Sequence, residues 1–303
     1  MRILVTGGSG FIGSNLDGDV KLSSKDCDLR NYDETIECFS KYSSDVILHC
    51  AAHHGNFVSM HENPVEMFTD NMLININVLK AAKELGIKKL INFTSVTAFP
   101  NDLDKPYTEA DLHLGEPHSY TYGYAYAKRM VEVLVRSYRE QYNLNYVCVL
   151  LSNIYGPKND FNLKTATAIS KLIKMCYLAK KNNTDLVVIG DGSPVRDFLY
   201  VDDVNKLTKK VINKFDDSEY IAGNGSIIFS NGVRSTIKDV IECIVDEIKF
   251  EGNIVWDKNK SVGQSVKVSD NSKLVSLYHD VEFTNLKDGI RKTINWFLEY
   301  NEK

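Results

Sequence analysis

A phenol and an ammonium four residues apart are the first candidates for chemistry in this sequence. Tyr124-Ala125-Tyr126-Ala127-Lys128 holds one Y-x-x-x-K; Tyr120, Tyr122 and Tyr126 are nearby, but only Tyr124 precedes Lys128 by four. On a helix that spacing puts both groups on one face. A phenol near pKa 10 is a poor acid–base group at neutral pH, and a neighbouring ammonium lowers it toward the working range. An exposed i,i+4 pair would look the same, so the pair needs company. Ser95, in Phe93-Thr94-Ser95-Val96-Thr97, supplies it at the end of an apolar run. A hydroxyl at a strand's carboxyl end faces the crevice of a parallel sheet, where it can hydrogen-bond a substrate carbonyl.

The chain start supplies a place for a hydride carrier. Thr6-Gly7-Gly8-Ser9-Gly10-Phe11-Ile12-Gly13 satisfies G-x-G-x-x-G through Gly8, Gly10 and Gly13, and G-x-x-G-x-x-G through Gly7, Gly10 and Gly13. Missing Cβ atoms let the turn close and let a pyrophosphate approach the helix that Phe11 and Ile12 begin. The second strand should end near Leu22. An acidic residue there would accept from the adenine ribose hydroxyls and favour NAD. Ser23-Ser24-Lys25 stand there instead. Hydroxyls and an ammonium suit a 2′-phosphate, so NADP(H) is the expected cofactor.

These groups need a frame. Residues 3–6, 45–50, 89–94 and 146–151 read as apolar strands. Residues 32–42, 64–85 and 122–142 carry helical spacing, and Gly86 stops the second of these. Such alternation predicts an α/β fold: a doubly wound parallel sheet of the Rossmann type, covered on both faces. After residue 153 the rhythm changes. A helix over 165–181, strands over 186–189 and 198–201 and a helix from 202 follow. Then come a helix over 236–248, a strand over 253–257 and a closing helix over 286–300. No repeat or low-complexity linker separates the parts. A smaller C-terminal substrate lobe is therefore expected to interleave with the first. Residues 1–153 and 194–215 would form the dinucleotide-binding domain, and 154–193 and 225–303 the substrate lobe. The first helix must be very short, because Gly13-Ser14-Asn15-Leu16 meets Asp17-Gly18-Asp19 at once.

Composition narrows the partners. A net charge of −4 with no basic stripe argues against nucleic acid. No window reaches the length of a membrane span. The six cysteines form no C-x-x-C pair and sit in apolar runs, as buried thiols in a reducing compartment do, and no metal is expected. Met1-Arg2-Ile3-Leu4-Val5 leads straight into the glycine turn without the apolar core of a signal peptide, so a cytoplasmic protein is expected.

With those residues in view, the chain resembles the extended short-chain dehydrogenases/reductases, and within them the GDP-L-fucose synthase branch. The similarity runs nearly full length through MRILVTGGSG, SSKDCDL, GYAYAKRM, SNIYGP, GDGSPVRDFLYVDD and KSVGQSVKVSDNSKL. The resemblance implies a GDP-linked 4-keto-6-deoxy sugar as substrate, NADPH, and reduction at C4. Ser95 and Tyr124 would meet the C4 oxygen, and Lys128 would meet Tyr124 and the nicotinamide ribose. Asp28 and Leu29 would lie near adenine, and the small Ala51 and Ala52 would admit the cofactor. Arg196 would hold the diphosphate, with Asn153 and Lys267 as further contacts. By the same analogy the helices over 64–85 and 122–142 would pair two copies into a homodimer.

The sequence also departs from that branch. Its members first epimerise C3 and C5, using a cysteine two residues after the catalytic serine and a histidine early in the helix after N-[IV]-[YF]-G-P. Here those positions are Thr97 and Thr167. A threonine hydroxyl titrates far outside the useful range, so the epimerase step is expected to be absent or much reduced. His53 and His54, on a loop bordering the site, are the alternative source of an imidazole; His49, inside a strand, reads as packed. A second basic residue expected in the helix over 165–181 falls at Met175, with Lys174 beside it, and an aromatic position before Gly190 is Ile189. Guanine would then be held differently, or replaced by another base. Two rivals stand beside reduction. One is a 4-epimerase or 4,6-dehydratase retaining NAD, although Val96-Thr97 lacks the acid pair of a dehydratase. The other is a non-catalytic NADP-binding regulator, against which the full Ser–Tyr–Lys set argues.

Overall fold

Runs of consecutive apolar residues can be buried on both faces only between two helical layers. Leu4, Val5, Val46, Ile47, Leu48, Leu90, Ile91 and residues 146–150 are all essentially inaccessible, and they form the centre of the molecule. A computed structural model describes residues 1–55, 57–214, 225–258 and 264–301.

The chain opens with β1 (Ile3–Thr6), α1 (Phe11–Asn15), β2 (Val20–Leu22), α2 (Tyr32–Ser40) and β3 (Val46–His49). Helices α3 (Phe57–Glu62) and α4 (Pro64–Glu84) lead to β4 (Lys89–Ser95), then α5 (Tyr122–Tyr142), β5 (Asn145–Leu151) and β6 (Asn153–Tyr155). Next come α6 (Ala168–Asn182), β7 (Leu186–Ile189), β8 (Val195–Tyr200), α7 (Val201–Asn213), β9 (Ser226–Phe229) and β10 (Arg234–Thr236). The last elements are α8 (Ile237–Ile248), β11 (Ile254–Asp257), β12 (Val266–Lys267), α9 (Ser272–Leu277) and α10 (Leu286–Asn301).

The large sheet has the order β2-β1-β3-β4-β5-β9, and every neighbouring pair in it is parallel. The expected doubly wound α/β fold is therefore present. From β1 the chain moves outward to β2 and then crosses back to β3. That reversal opens a crevice at the carboxyl ends of β1 and β3, the usual ligand position in such sheets. His49 packs inside β3 as expected, 1% exposed, with Nδ1 2.6 Å from Thr6 Oγ1.

The smaller lobe holds β10-β8-β12, with β6 also pairing β8, and a separate β7–β11 pair. Its core joins Ile169, Ile173, Leu186, Val240, Ile244 and Phe297. The domain boundaries differ from expectation in two places. Residues 226–229, assigned to the substrate lobe, form β9 and close the large sheet against β5; Ile227 and Phe229 are buried in its core. Residues 194–215, assigned to the first domain, divide at Tyr200. β8 completes its hydrogen bonding with β6, β10 and β12, whereas α7 lays Val204, Leu207 and Val211 on the large sheet. Strand partnership between distant segments carries no local sequence signal, so neither boundary shows in composition.

Helix α1 is as short as expected, five residues. Leu16 leaves it extended, and Gly18 then returns the chain to β2, where a Cβ would meet the Val5 Cγ2 at 2.4 Å. The exit is tied to α7, with Asp17 N–H donating to Asn205 Oδ1 at 3.0 Å and Lys209 paired with the Asp17 carboxylate. The helix expected over 165–181 begins three residues late, at Ala168. Asn162 Oδ1 accepts from the Lys164 N–H at 3.0 Å, Asp160 Oδ1 accepts from the Asn162 N–H at 2.8 Å, and Thr165 donates its hydroxyl to Asp160. Side chains of this kind compete with helix hydrogen bonds and hold the backbone in turns. Among the described residues, no helix is long and apolar enough to cross a membrane.

Candidate active site

The glycine turn is as tight as its residues permit. Gly7 has φ +65°, and a Cβ there would lie 2.7 Å from the Ala51 nitrogen at the end of β3. A Cβ on Gly13 would lie 2.3 Å from the Gly7 carbonyl oxygen. Gly10 N–H donates to that same oxygen at 2.9 Å. Backbone thus approaches backbone at three points, and a side chain at either flank would fill the cradle. Phe11 and Ile12 begin α1 directly above it, and Ile12 packs on the large-sheet core. Ala51 and Ala52 follow β3 on the opposite wall and are half-buried. These residues fit a dinucleotide pyrophosphate.

At the end of β2, Ser24 and Lys25 are exposed. Ser23 donates both its N–H and its hydroxyl to Asp26 Oδ2, at 2.7 and 2.8 Å. Ser23 therefore shapes the turn, while Ser24 and Lys25 face outward from it. Further on, the Asp28 carboxylate is gripped by Arg30. Arg30 reaches on to Asp70 at 3.2 Å, and the Leu29 carbonyl accepts from Asn77 of α4 at 3.0 Å. The segment expected near adenine is thus a fixed wall.

The three candidate catalytic residues lie on two elements that pack together, β4 and α5. Ser95 is the last residue of that strand. Tyr124 and Lys128 lie one turn apart on the buried face of α5. Thr94 Oγ1 donates to the Lys128 carbonyl at 2.8 Å, which pins the helix to the strand. Lys128 Nζ lies 5.7 Å from the centroid of the Tyr124 ring and points toward the Phe93 carbonyl at 3.5 Å. Both side chains are buried, Tyr124 being 5% exposed and Lys128 3%. Burial pushes the Lys128 ammonium down to about 8, an effect that the nearby Cys50 and Cys148 thiols partly oppose. Burial also pushes the Tyr124 phenol above its usual range. Burial alone sets this shift; the lowering expected from Lys128 acts together with the positive charge of a bound nicotinamide. The result is a phenol that stays protonated at neutral pH, the state a proton donor needs.

A cavity of about 660 Å³ opens beside this triplet, lined by residues of both lobes. Thr97, His54, Asn153, Arg196 and Lys267 all line it, so five of the six residues singled out in the sequence as candidates to meet the substrate, Lys174 being the sixth, come together. His54 sets its ring edge-on to Tyr124, with centroids 5.6 Å apart. Desolvation, then the Lys128 charge, holds its imidazole below the ordinary histidine range. His53 turns away and bonds Asp70 at 2.9 Å. Asn153 donates its amide to the Asp197 carbonyl and carboxylate, at 3.0 and 3.2 Å. The guanidinium of Arg196 donates to the carbonyls of Val195 and Gln264 at 2.8 Å each, which fixes its plane at the cavity wall.

Lys174 is the exception. Its Nζ lies 5.1 Å from the Phe297 ring centroid and 5.7 Å from that of Tyr177, outside the cavity lining. The cation on the cavity face of α6 is Lys171, one turn before Met175, and both line the cavity. Sequence reasoning missed Lys171, although its i,i+4 relation to Met175 was legible. Thr167 sits at the N-cap of α6 and accepts from the Asn159 amide at 3.0 Å. Ile189 and Thr167 line the cavity as well.

Known proteins resemble this chain in sequence and in fold. Residues 3–223 match the NAD dependent epimerase/dehydratase family. The chain is 36% identical to a GDP-L-fucose synthase of Dictyostelium discoideum over 99% of its own length and 96% of the relative's. It is 31% identical to a GDP-L-colitose synthase of Yersinia pseudotuberculosis, over 100% and 99% of the two chains. A solved GDP-L-fucose synthetase from Naegleria fowleri bound to NADP superposes with a TM-score of 0.91 at 34% identity, covering 100% of this chain and 94% of that one. Fold and sequence thus agree with the comparisons over nearly the whole chain, and the chain belongs to the NAD dependent epimerase/dehydratase family, within the extended short-chain dehydrogenases/reductases that its motifs resemble.

Proposed function

We propose that this protein is an NADPH-dependent reductase of the C4 keto group of a GDP-linked 4-keto-6-deoxy sugar. The observation that supports the reading is the packing of α5, which carries Tyr124 and Lys128, on the strand that Ser95 ends, together with a two-lobed cavity that has Arg196 and Lys171 on its walls. Bound NADPH supplies the hydride. Ser95 orients the carbonyl, protonated Tyr124 delivers a proton to the C4 oxygen, and the Lys128 ammonium stabilises the phenolate that remains. Ser24 and Lys25 at the end of β2 suit the 2′-phosphate, and the Gly7–Gly13 turn the pyrophosphate. Relatives named GDP-L-fucose synthase support the guanosine diphosphate.

Epimerisation at C3 and C5 is not part of this reading. Thr97 and Thr167 hold the positions where that branch has its acid–base pair, and neither hydroxyl ionises in the working range. Incubation with GDP-4-keto-6-deoxymannose and NADPH in deuterated water tests both halves. The expected product is reduced at C4 and carries no deuterium at C3 or C5. Deuterium at those carbons, or GDP-L-fucose as product, overturns the loss of epimerisation. Stoichiometric NAD bound to the purified protein without NADPH consumption favours the hydride-recycling alternative.

In this reading Arg196 and Lys171, which both line the cavity, hold the diphosphate. Lys171→Met should raise KM for the nucleotide sugar about tenfold while leaving kcat within twofold, because phosphate contacts bind ground state and transition state alike. An unchanged KM would place the diphosphate elsewhere.

The reading includes a homodimer and a cytoplasmic setting. Val65, Phe68, Leu73 and Ile76 of α4 and Tyr122 of α5 expose apolar surface, and between the two helices a groove is lined by Val65, Phe68, Tyr122, Tyr126 and Met130. A sedimentation mass twice that of the chain is the expected result. All six cysteines are free thiols, consistent with a reducing compartment.

A further inference from the structure

Ser95 reaches beyond the substrate carbonyl. Its Oγ accepts from the Thr97 N–H at 3.1 Å and lies 3.1 Å from Thr97 Oγ1. Thr97 Oγ1 in turn lies 3.4 Å from Lys267 Nζ. The three groups come from two lobes. Ser95 ends β4, Thr97 lies in the 3₁₀ turn after it, and Lys267 lies on β12 opposite Arg196 of β8.

A hydroxyl pair can be polarised either way, since each oxygen donates once and accepts twice. If Ser95 donates to Thr97, its proton is turned away from the carbonyl. If Thr97 donates to Ser95, the Ser95 proton is left for the substrate. An ammonium has three donors and no acceptor. Placed against Thr97 Oγ1, it takes one of the two acceptor sites of that oxygen and so favours, over donation from Ser95, the arrangement in which the Thr97 proton turns to Ser95. Ser95 then accepts from both the N–H and the hydroxyl of Thr97, and its own proton points outward.

We propose that Lys267 is a positioning residue for the reduction: through Thr97 it sets the direction of the hydrogen-bond chain so that Ser95 donates to the C4 carbonyl oxygen. Chains polarised in one direction strengthen each member, so the donor at Ser95 is also stronger than an isolated serine. The role differs from holding the diphosphate, because it acts on the transition state, where charge develops on the oxygen. It explains what the Thr97 hydroxyl does in a site where it cannot serve as acid or base. The inference rests on the reductase reading.

The test uses the whole enzyme with GDP-4-keto-6-deoxymannose and NADPH at saturation, and compares wild type, Thr97→Val, Thr97→Ser, Lys267→Met and the Thr97→Val/Lys267→Met double variant. The NADPH-induced thermal shift of each confirms folding. Thr97→Val and Lys267→Met should each lower kcat about five- to tenfold, the scale of one net hydrogen bond. The double variant should fall no further than the worse single, and Thr97→Ser should restore most of kcat. A wild-type kcat in either single variant overturns the inference. So do multiplying effects in the double, or a Thr97→Val change confined to KM. In each of those outcomes wild-type turnover stands. Absence of NADPH oxidation by the wild type overturns the reductase reading itself, and this inference with it.

Discussion

Tyr124→Phe should lower kcat for NADPH-dependent reduction by about 10²- to 10⁴-fold, the usual contribution of a positioned proton donor. The substitution removes one oxygen and keeps the ring. Tyr124 is 5% exposed and meets His54 edge-on, contacts that phenylalanine preserves. KM for the nucleotide sugar should therefore stay within a few-fold, and the melting temperature should hardly move. Single-turnover measurement of NADPH absorbance checks the loss directly. Turnover at the wild-type rate would show that another group protonates the C4 oxygen. The pH profile of the wild type follows from the same pair. Burial lowers Lys128 to about 8, so its ammonium is present below that pH and lost above it. Burial raises the Tyr124 phenol, so the donor itself stays protonated beyond that point. Activity should hold from neutral pH and decline through about 8 as the stabilising charge disappears.

The second large effect is expected at the other end of the site. Gly13→Ala places a Cβ 2.3 Å from the Gly7 carbonyl oxygen and 3.1 Å from the Gly8 Cα. Both obstacles are backbone, so no side chain can swing aside, and the turn must open. The turn that opens is the one proposed to hold the pyrophosphate. A ligand at one hundred times its Kd stabilises a protein by about 2.7 kcal/mol. In Gly13→Ala the NADPH-induced shift in melting temperature should vanish at the concentration that saturates the wild type. The rest of the large sheet, whose core lies below the turn, should keep the variant folded. A wild-type shift would show that the pyrophosphate does not use this cradle.

Local spacing carried much of this protein in plain view. The glycine turn, the Tyr124–Lys128 pair and Ser95 at a strand end are short-range patterns. Chain geometry alone brings such groups together, because one helical turn or one βα turn spans them. The doubly wound parallel sheet follows for the same reason, from apolar runs alternating with helical periods. The shortness of α1 was also legible, since Asp17-Gly18-Asp19 stops a helix wherever it stands.

Other features depend on contacts between distant segments. Lys174 and Lys171 are equally basic, and the packing of α6 against α10 places Phe297 under one and the cavity beside the other. β9 crosses from the apparent substrate lobe to close the large sheet, because β5 offers an unpaired edge there. The raised phenol of Tyr124 reflects how much water its surroundings exclude, a property of the whole fold that no four-residue motif contains. The Lys267–Thr97–Ser95 chain joins residues 170 positions apart at one end and two at the other. A strand pairing in the smaller lobe puts that ammonium within reach of β4, and pairing partners are chosen by burial across the folded molecule.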